Sequence, residues 1–216
     1  MSEGTPKNHE KEACLGLSTL EIAQRIVDSN SEIQSIRFRP YFYIPNKPSG
    51  SEEQTHGVSR KLFLELKQID MDNWLTQLGE GYNIALDSPV VFENGDKGHF
   101  VMADLAPQKS DENLKKIKER FSEIIQPRFG GGFFLETKKS YHFIGEKFAS
   151  QEDWHELLGR LLITSIVTVT PEGTPNIHEV IADYRYIGHS LIRGSTGLRL
   201  TTNGEKTISP SVVGFV

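Results

Sequence analysis

Phe133-Phe134-Leu135-Glu136-Thr137-Lys138-Lys139-Ser140-Tyr141-His142-Phe143-Ile144-Gly145 consists of two apolar runs around a short polar turn, a pattern that predicts a hairpin of two strands. Side chains alternate across a strand, so Ser140 and His142 are expected on one face and Tyr141 on the other. A hydroxyl, an imidazole and the nearby Lys138 and Lys139 form a surface suited to a phosphate-bearing ligand. The same residues also read simply as a hairpin with one polar face.

Working upstream, Phe129-Gly130-Gly131-Gly132 permits a tight turn or a close approach of backbone to phosphate. It lacks P-loop spacing, and a strand rather than a helix comes next. Asp111 to Ile125 predicts an amphipathic helix, with Leu114, Ile117, Phe121 and Ile125 on its apolar face. Before it, Val90-Val91-Phe92 and His99 to Asp104 form a second predicted hairpin around Asn94-Gly95. Its second strand ends in Asp104. A carboxylate at the exit of an apolar strand suits a metal ligand on a rigid scaffold, and it suits a helix or turn cap equally well.

Nearer the N-terminus, Ser18-Thr19-Leu20-Glu21 is a capping box that opens a helix over 18–30. Ile33 to Ile44 reads as a strand interrupted at Pro40, with Arg37 and Arg39 among aromatics. That mixture suits stacking on a base, or a half-buried edge strand with exposed arginines. Pro45 to Gly57 reads as a loop, Leu62 to Leu66 as a strand, and Met71 to Leu78 as a helix. Asp70 or Asp72 caps that helix in preference to holding a metal. Downstream, Ser150 caps a helix over 150–162 whose core face carries Trp154, Leu157, Leu158, Leu161 and Leu162. Val180-Ile181-Ala182-Asp183 again ends a short apolar run in an aspartate. Arg193 to Thr201 forms a local basic stretch.

Composition bounds the class of molecule. The 216 residues are 37% hydrophobic with a net charge of -5, enough for a core and without a global basic field for nucleic acid. The single Cys14 excludes an intramolecular disulfide framework and fits a reducing cytosol. Without an apolar span of membrane length or a secretory leader, the chain reads as a cytoplasmic protein with no membrane association. Residues 1–12 are expected to be a flexible tail and residues 13–216 a single domain.

In their order along the chain, Asp104, Ser140-Tyr141-His142, Asp183 and the later basic residues resemble the archaeo-eukaryotic primase superfamily, which includes the primase-polymerases. The resemblance spans roughly residues 90–210. It implies an α+β fold with an antiparallel sheet of RNA-recognition-like type packed with helices at about 18–30, 111–125 and 150–162. It further implies Asp104 and Asp183 as catalytic ligands of Mg²⁺ or Mn²⁺, with Ser140, His142, Arg199 and Lys206 gripping a nucleoside triphosphate. The implied activity is nucleotidyl transfer in DNA or RNA primer synthesis, on a single-stranded template and beside a separate helicase or other replication partner.

One departure bears on that activity. The family's first motif has two acids separated by one residue, whereas this chain reads Asp104-Leu105-Ala106. Two-metal chemistry needs carboxylates for both ions, and Glu136 fills the gap only if it points inward. Two alternatives therefore stand beside the enzyme: a non-catalytic nucleotide- or nucleic-acid-binding module on the same fold with a degenerate metal site, and an unrelated α+β protein whose Ser-Tyr-His is structural.

Overall fold

The computed structural model describes residues 6–42, 54–169, 171–173, 175–202 and 209–216. In chain order the elements are α1 (Pro6–Glu12), α2 (Thr19–Asp28), β1 (Ile33–Phe42), β2 (His56–Ser59), α3 (Arg60–Glu65), α4 (Gln68–Leu78), β3 (Tyr82–Phe92), β4 (Lys97–Leu105) and α5 (Asp111–Ile124). There follow α6 (Gln126–Phe129), β5 (Gly132–Glu136), β6 (Tyr141–Ser150), α7 (Gln151–Ile163), β7 (Ile166–Val169), β8 (Pro175–Glu179), α8 (Tyr184–Arg193), β9 (Gly197–Arg199) and β10 (Ser211–Phe215).

Eight strands form one antiparallel sheet in the order β10-β5-β6-β4-β3-β1-β2, with β9 also paired to β3, while β7 and β8 form a separate hairpin. The expected α+β class with an antiparallel sheet is what the chain adopts. Alternation along the strands gives the sheet two apolar faces. Phe38, Leu86, Phe100, Met102 and Ile144 pack with α2, α3 and α4 in one core, and Val101, Ala103, Phe134 and Phe143 pack with α5, α7 and α8 in the other. Helices thus cover both sides of the sheet.

The helix starts follow from side-chain caps. Ser18, Ser110 and Ser150 each accept a hydrogen bond from the backbone N–H three residues on, and Glu21 completes the capping box at Ser18. Six of the ten α2 residues are buried, so its apolar stripe sets which way the helix faces the sheet. Asp70 accepts from the Lys67 N–H at 2.7 Å, which makes it a helix-start residue, as the sequence suggests.

Several local expectations differ from the structure. Pro6–Glu12 is helical, and Lys11 pairs with Glu146 at 2.8 Å. Leu62 to Leu66 belongs mostly to α3. Its every-second-residue leucines imitate a strand, but Ser59 caps the segment and only Phe63 is buried. Pro40 does not interrupt β1, because β2 pairs only as far as Phe38, and beyond that point a missing N–H costs no ladder bond on that side. Of the Pro45–Gly57 stretch, residues 45–53 lie outside the described residues, and His56 and Gly57 are in β2. Leu162, expected in the core, is 47% exposed.

The glycine run has a packing explanation. Gly130 ends α6 with a φ of 76°, and a Cβ at Gly132 would meet the Ile144 carbonyl oxygen and the Phe143 ring, each at 2.5 Å. Close strand packing, rather than a phosphate loop, accounts for these residues.

Candidate nucleotide site at the end of β4

Strand β4 runs from a closed polar network to an open one. At its start His99 is 3% exposed and stacks on Trp154, with centroids 4.8 Å apart. Its ring nitrogens meet Ser88 Oγ at 2.9 Å and Gln151 Oε1 at 2.8 Å. Gln151 Oε1 can only accept, so the neutral ring donates from Nε2, and Nδ1 accepts from the Ser88 hydroxyl, whose oxygen in turn accepts from the Thr196 N–H at 3.0 Å. Burial lowers the His99 pKa below its ordinary value, with the Gln151 bond opposing the shift. From the sequence alone, His99 reads only as a strand residue.

At the other end, Asp104 stands directly opposite His142 in the β4–β6 ladder. Opposed residues share a face, and the His142 Nε2 lies 3.7 Å from Asp104 Oδ1. His142 is 8% exposed, whereas the Asp104 side chain is 35% exposed. The pair continues the row of Met102 and Ile144 just where that apolar row ends.

Two further groups feel the Asp104 charge. Strand β4 pairs with β3 only at Pro89–Val91, and β9 takes the neighbouring place beside β3 at Ala85–Asp87, so Arg199 comes alongside the end of β4. Arg199 is 7% exposed and donates from Nη1 to the Thr201 carbonyl at 2.8 Å. Burial lowers its pKa, while Tyr41 and Asp104 oppose that shift. The buried Tyr186 hydroxyl lies near Thr196 and the Gly197 backbone, and its pKa is pushed far up, first by burial and then by the Asp104 charge.

Asp183 reaches the same place through the backbone. Leu105 and Ala182 form an antiparallel bridge, flanked by hydrogen bonds from the Asp183 N–H to the Asp104 carbonyl at 3.0 Å and from the Ala106 N–H to the Ile181 carbonyl at 2.9 Å. The Asp183 carboxylate caps α8, accepting from the Arg185 N–H at 2.8 Å and the Tyr186 N–H at 3.3 Å. It is therefore a helix-cap residue on a bridge rather than the exit of a full strand.

Ser140 is in the turn before β6, where the Thr137 Oγ1 accepts from its N–H at 3.0 Å and donates to its carbonyl at 3.0 Å. Tyr141 faces the helix layer and bonds Ser110. Glu136 pairs with Lys109 at 2.8 Å, in register with Tyr141 rather than with His142, so it does not replace the absent second acid. Lys206 lies outside the described residues. Asp104 and His142 are thus brought together and Asp183 adjoins them, while Arg199 and Tyr186, the latter without a sequence signal beyond its aromatic character, are near enough to feel the Asp104 charge.

Among the described residues no group of three or more His, Cys, Asp or Glu side chains is arranged to hold a metal ion, and no helix is long and apolar enough to cross a membrane. No curated protein and no solved structure matches the chain. The family model described as archaeo-eukaryotic primase 1D-like matches residues 64–210, more than half of the chain, and takes in β3, β4, the Ser-Tyr-His turn and β9. The chain therefore belongs to the archaeo-eukaryotic primase-like family.

Proposed function

We propose that this domain binds a nucleoside triphosphate at the Asp104 end of β4 and transfers its nucleotidyl group to a primer hydroxyl on a single-stranded template. The observation that carries the reading is the direct opposition of Asp104 and His142 at the end of β4, with Arg199 near enough to feel the Asp104 charge. A pre-positioned imidazole and guanidinium donate charge-assisted hydrogen bonds to phosphate oxygens. Ser140, at the turn beside His142, and Lys206 complete the proposed grip, and a separate helicase would supply the opened template.

The donor set fits one Mg²⁺ or Mn²⁺ ion better than two. Asp104 offers a half-open carboxylate, with Asp183 adjacent, and a hard cation often takes one or two protein carboxylates together with substrate phosphates. Such an ion would neutralise charge on the reacting phosphate. The residues of this chain would then hold the triphosphate in line, with His142 and Arg199 binding its oxygens.

A second reading has a specific observation in its favour. The Asp183 carboxylate is engaged at the α8 N-terminus and position 106 is alanine, so a non-catalytic nucleotide-binding module with a degenerate metal site uses the same residues. Calorimetry with ATP and Mn²⁺, followed by template-dependent nucleotide incorporation, separates the readings. Binding with incorporation establishes the enzyme, and binding without incorporation establishes the module. Absence of binding overturns both.

A further inference from the structure

The turn that joins β5 to β6, Thr137-Lys138-Lys139-Ser140, holds no glycine, proline, asparagine or aspartate, the residues that ordinarily shape a reversal. Its closure comes from Thr137. The Thr137 N–H donates to the Ser140 carbonyl at 2.9 Å, and the Thr137 hydroxyl donates to the same oxygen at 3.0 Å. Thr137 Oγ1 also accepts from the Ser140 N–H at 3.0 Å and, at longer range, from the Lys139 N–H at 3.4 Å. Thr137 is 7% exposed, and its branched Cβ restricts the rotamer that makes these bonds.

The turn is pinned from outside as well. The Lys109 N–H donates to the Lys139 carbonyl at 3.0 Å, and the Tyr141 hydroxyl bonds both backbone groups of Ser110. Those partners belong to the loop that follows Asp104 on β4. Leu135 and His142 oppose each other in the β5–β6 ladder, so alternation puts Thr137 and Ser140, each two positions further along, on the face of His142 and Asp104. The two hydroxyls stand 3.3 Å apart. A hydroxyl has one proton and two lone pairs, and those of Thr137 are taken up by the backbone of the turn. The Ser140 proton is thereby left for another acceptor, and Ser140 is only half-buried.

We propose that Thr137 is a positioning residue of the nucleotide site, fixing the backbone at Ser140 so that the Ser140 hydroxyl donates to a phosphate oxygen of the bound triphosphate beside His142. This role rests on the nucleotide reading above and adds a residue outside the Ser-Tyr-His motif. A hydroxyl carried on a fixed turn gives up little conformational freedom on binding, and its hydrogen bond to a phosphate anion is charge-assisted.

The test compares binding of ATP and of adenosine, each with Mn²⁺, to the unaltered chain, Ser140→Ala, Thr137→Val, Thr137→Ser and the Thr137→Val/Ser140→Ala double variant, with thermal unfolding of each. Ser140→Ala and Thr137→Val should each weaken ATP binding about tenfold, the effect of losing a charge-assisted hydrogen bond, while adenosine binding changes little. Thr137→Ser keeps the hydroxyl and should bind ATP within about threefold of the unaltered chain. The double variant should bind ATP no more weakly than Ser140→Ala alone, because Thr137 acts through that one hydroxyl. A threonine that only supports the fold gives another pattern: losses that add in the double variant, losses equal for ATP and adenosine, or a Thr137→Ser variant as weak as Thr137→Val, and any of these overturns the role. Thr137→Ala takes the place of Thr137→Val if the valine variant does not fold, and ATP affinity in Ser140→Ala within twofold of the unaltered chain overturns the role without either. Failure of ATP to bind the unaltered chain is a separate result, which removes the nucleotide reading and this inference together.

Discussion

The two ends of β4 each present a mostly buried histidine in a polar setting, and they differ in closure. His99 has a partner on each ring nitrogen and an indole against its face. His142 meets a carboxylate at 3.7 Å that is itself one-third exposed. A closed network stabilises a fold, because every desolvated group in it keeps a partner. A pair whose carboxylate reaches solvent can be approached by a ligand, so the two histidines should respond to perturbation in opposite ways.

The largest expected effect is on the closed end. Trp154 is fully buried, carries the His99 ring and lies in the second core. Trp154→Ala should lower unfolding stability by about 3–5 kcal/mol through cavity formation, as read in urea denaturation. A loss below about 1 kcal/mol would mean that the His99–Trp154 stack does not anchor this end of β4.

Acid should act on the same end. The folded His99 pKa is lowered by burial, so between that value and the unfolded value near 6.5 the unfolded chain binds more protons. Stability that is complete above about pH 6.5 is therefore lost as the pH falls toward the folded value. Asp87 favours the proton, and Arg37 and His155 oppose it. His99→Gln keeps one hydrogen bond and removes the titration, so its stability profile between pH 7 and 5 should be flatter than that of the unaltered chain. Parallel profiles would assign the acid sensitivity to other groups.

At the open end the effect moves from stability to binding. His142→Ala should reduce ATP affinity by tenfold or more, a charge-assisted hydrogen bond being worth about 1.5–3 kcal/mol, with a smaller change in unfolding than Trp154→Ala. Lys138→Ala or Lys139→Ala, in the turn, should reduce it less. If His142→Ala binds ATP as tightly as the unaltered chain, the difference between the two histidines is not one of function.

Much of this was legible in the residues. The caps at Ser18, Ser110 and Ser150 and the Asn94-Gly95 turn are local signals, and the elements they predict are present. At Leu62 to Leu66 the leucine periodicity alone imitates a strand, and only the Ser59 cap marks the segment as the start of a helix. The meeting of Asp104 with His142 followed from motif order, but register and long-range pairing decide what joins them. Asp183 looked like a strand exit because its capping partners, the N–H groups of Arg185 and Tyr186, carry no side-chain signal.

Asp183 itself offers a smaller effect with a clean separation. Asn and Asp cap helices about equally, whereas alanine costs about 0.5–2 kcal/mol. Asp183→Asn should thus keep the stability that Asp183→Ala loses. If the carboxylate also serves a metal, Asp183→Asn should weaken Mn²⁺-dependent ATP binding while unfolding stays unchanged. Equal binding in Asp183→Asn and the unaltered chain would leave Asp183 with capping alone.

The smallest expected change, and the one that most sharpens the contrast between a closed and an open end, is at Ala106. The residue is exposed, and its N–H is bonded to the Ile181 carbonyl, so a longer side chain there displaces no core. Positions 104 and 106 in an extended segment face the same side, which places a new carboxylate beside Asp104. Ala106→Asp should therefore raise Mn²⁺ affinity by several-fold with little change in unfolding, and two carboxylates should favour Mg²⁺ more than one does, because Mg²⁺ demands regular oxygen ligation. Metal titration by calorimetry reads this directly. Unchanged metal affinity in a normally folded variant would mean that residue 106 does not face the Asp104 carboxylate, and the open end of β4 would then have no place for the second acid of a two-metal site.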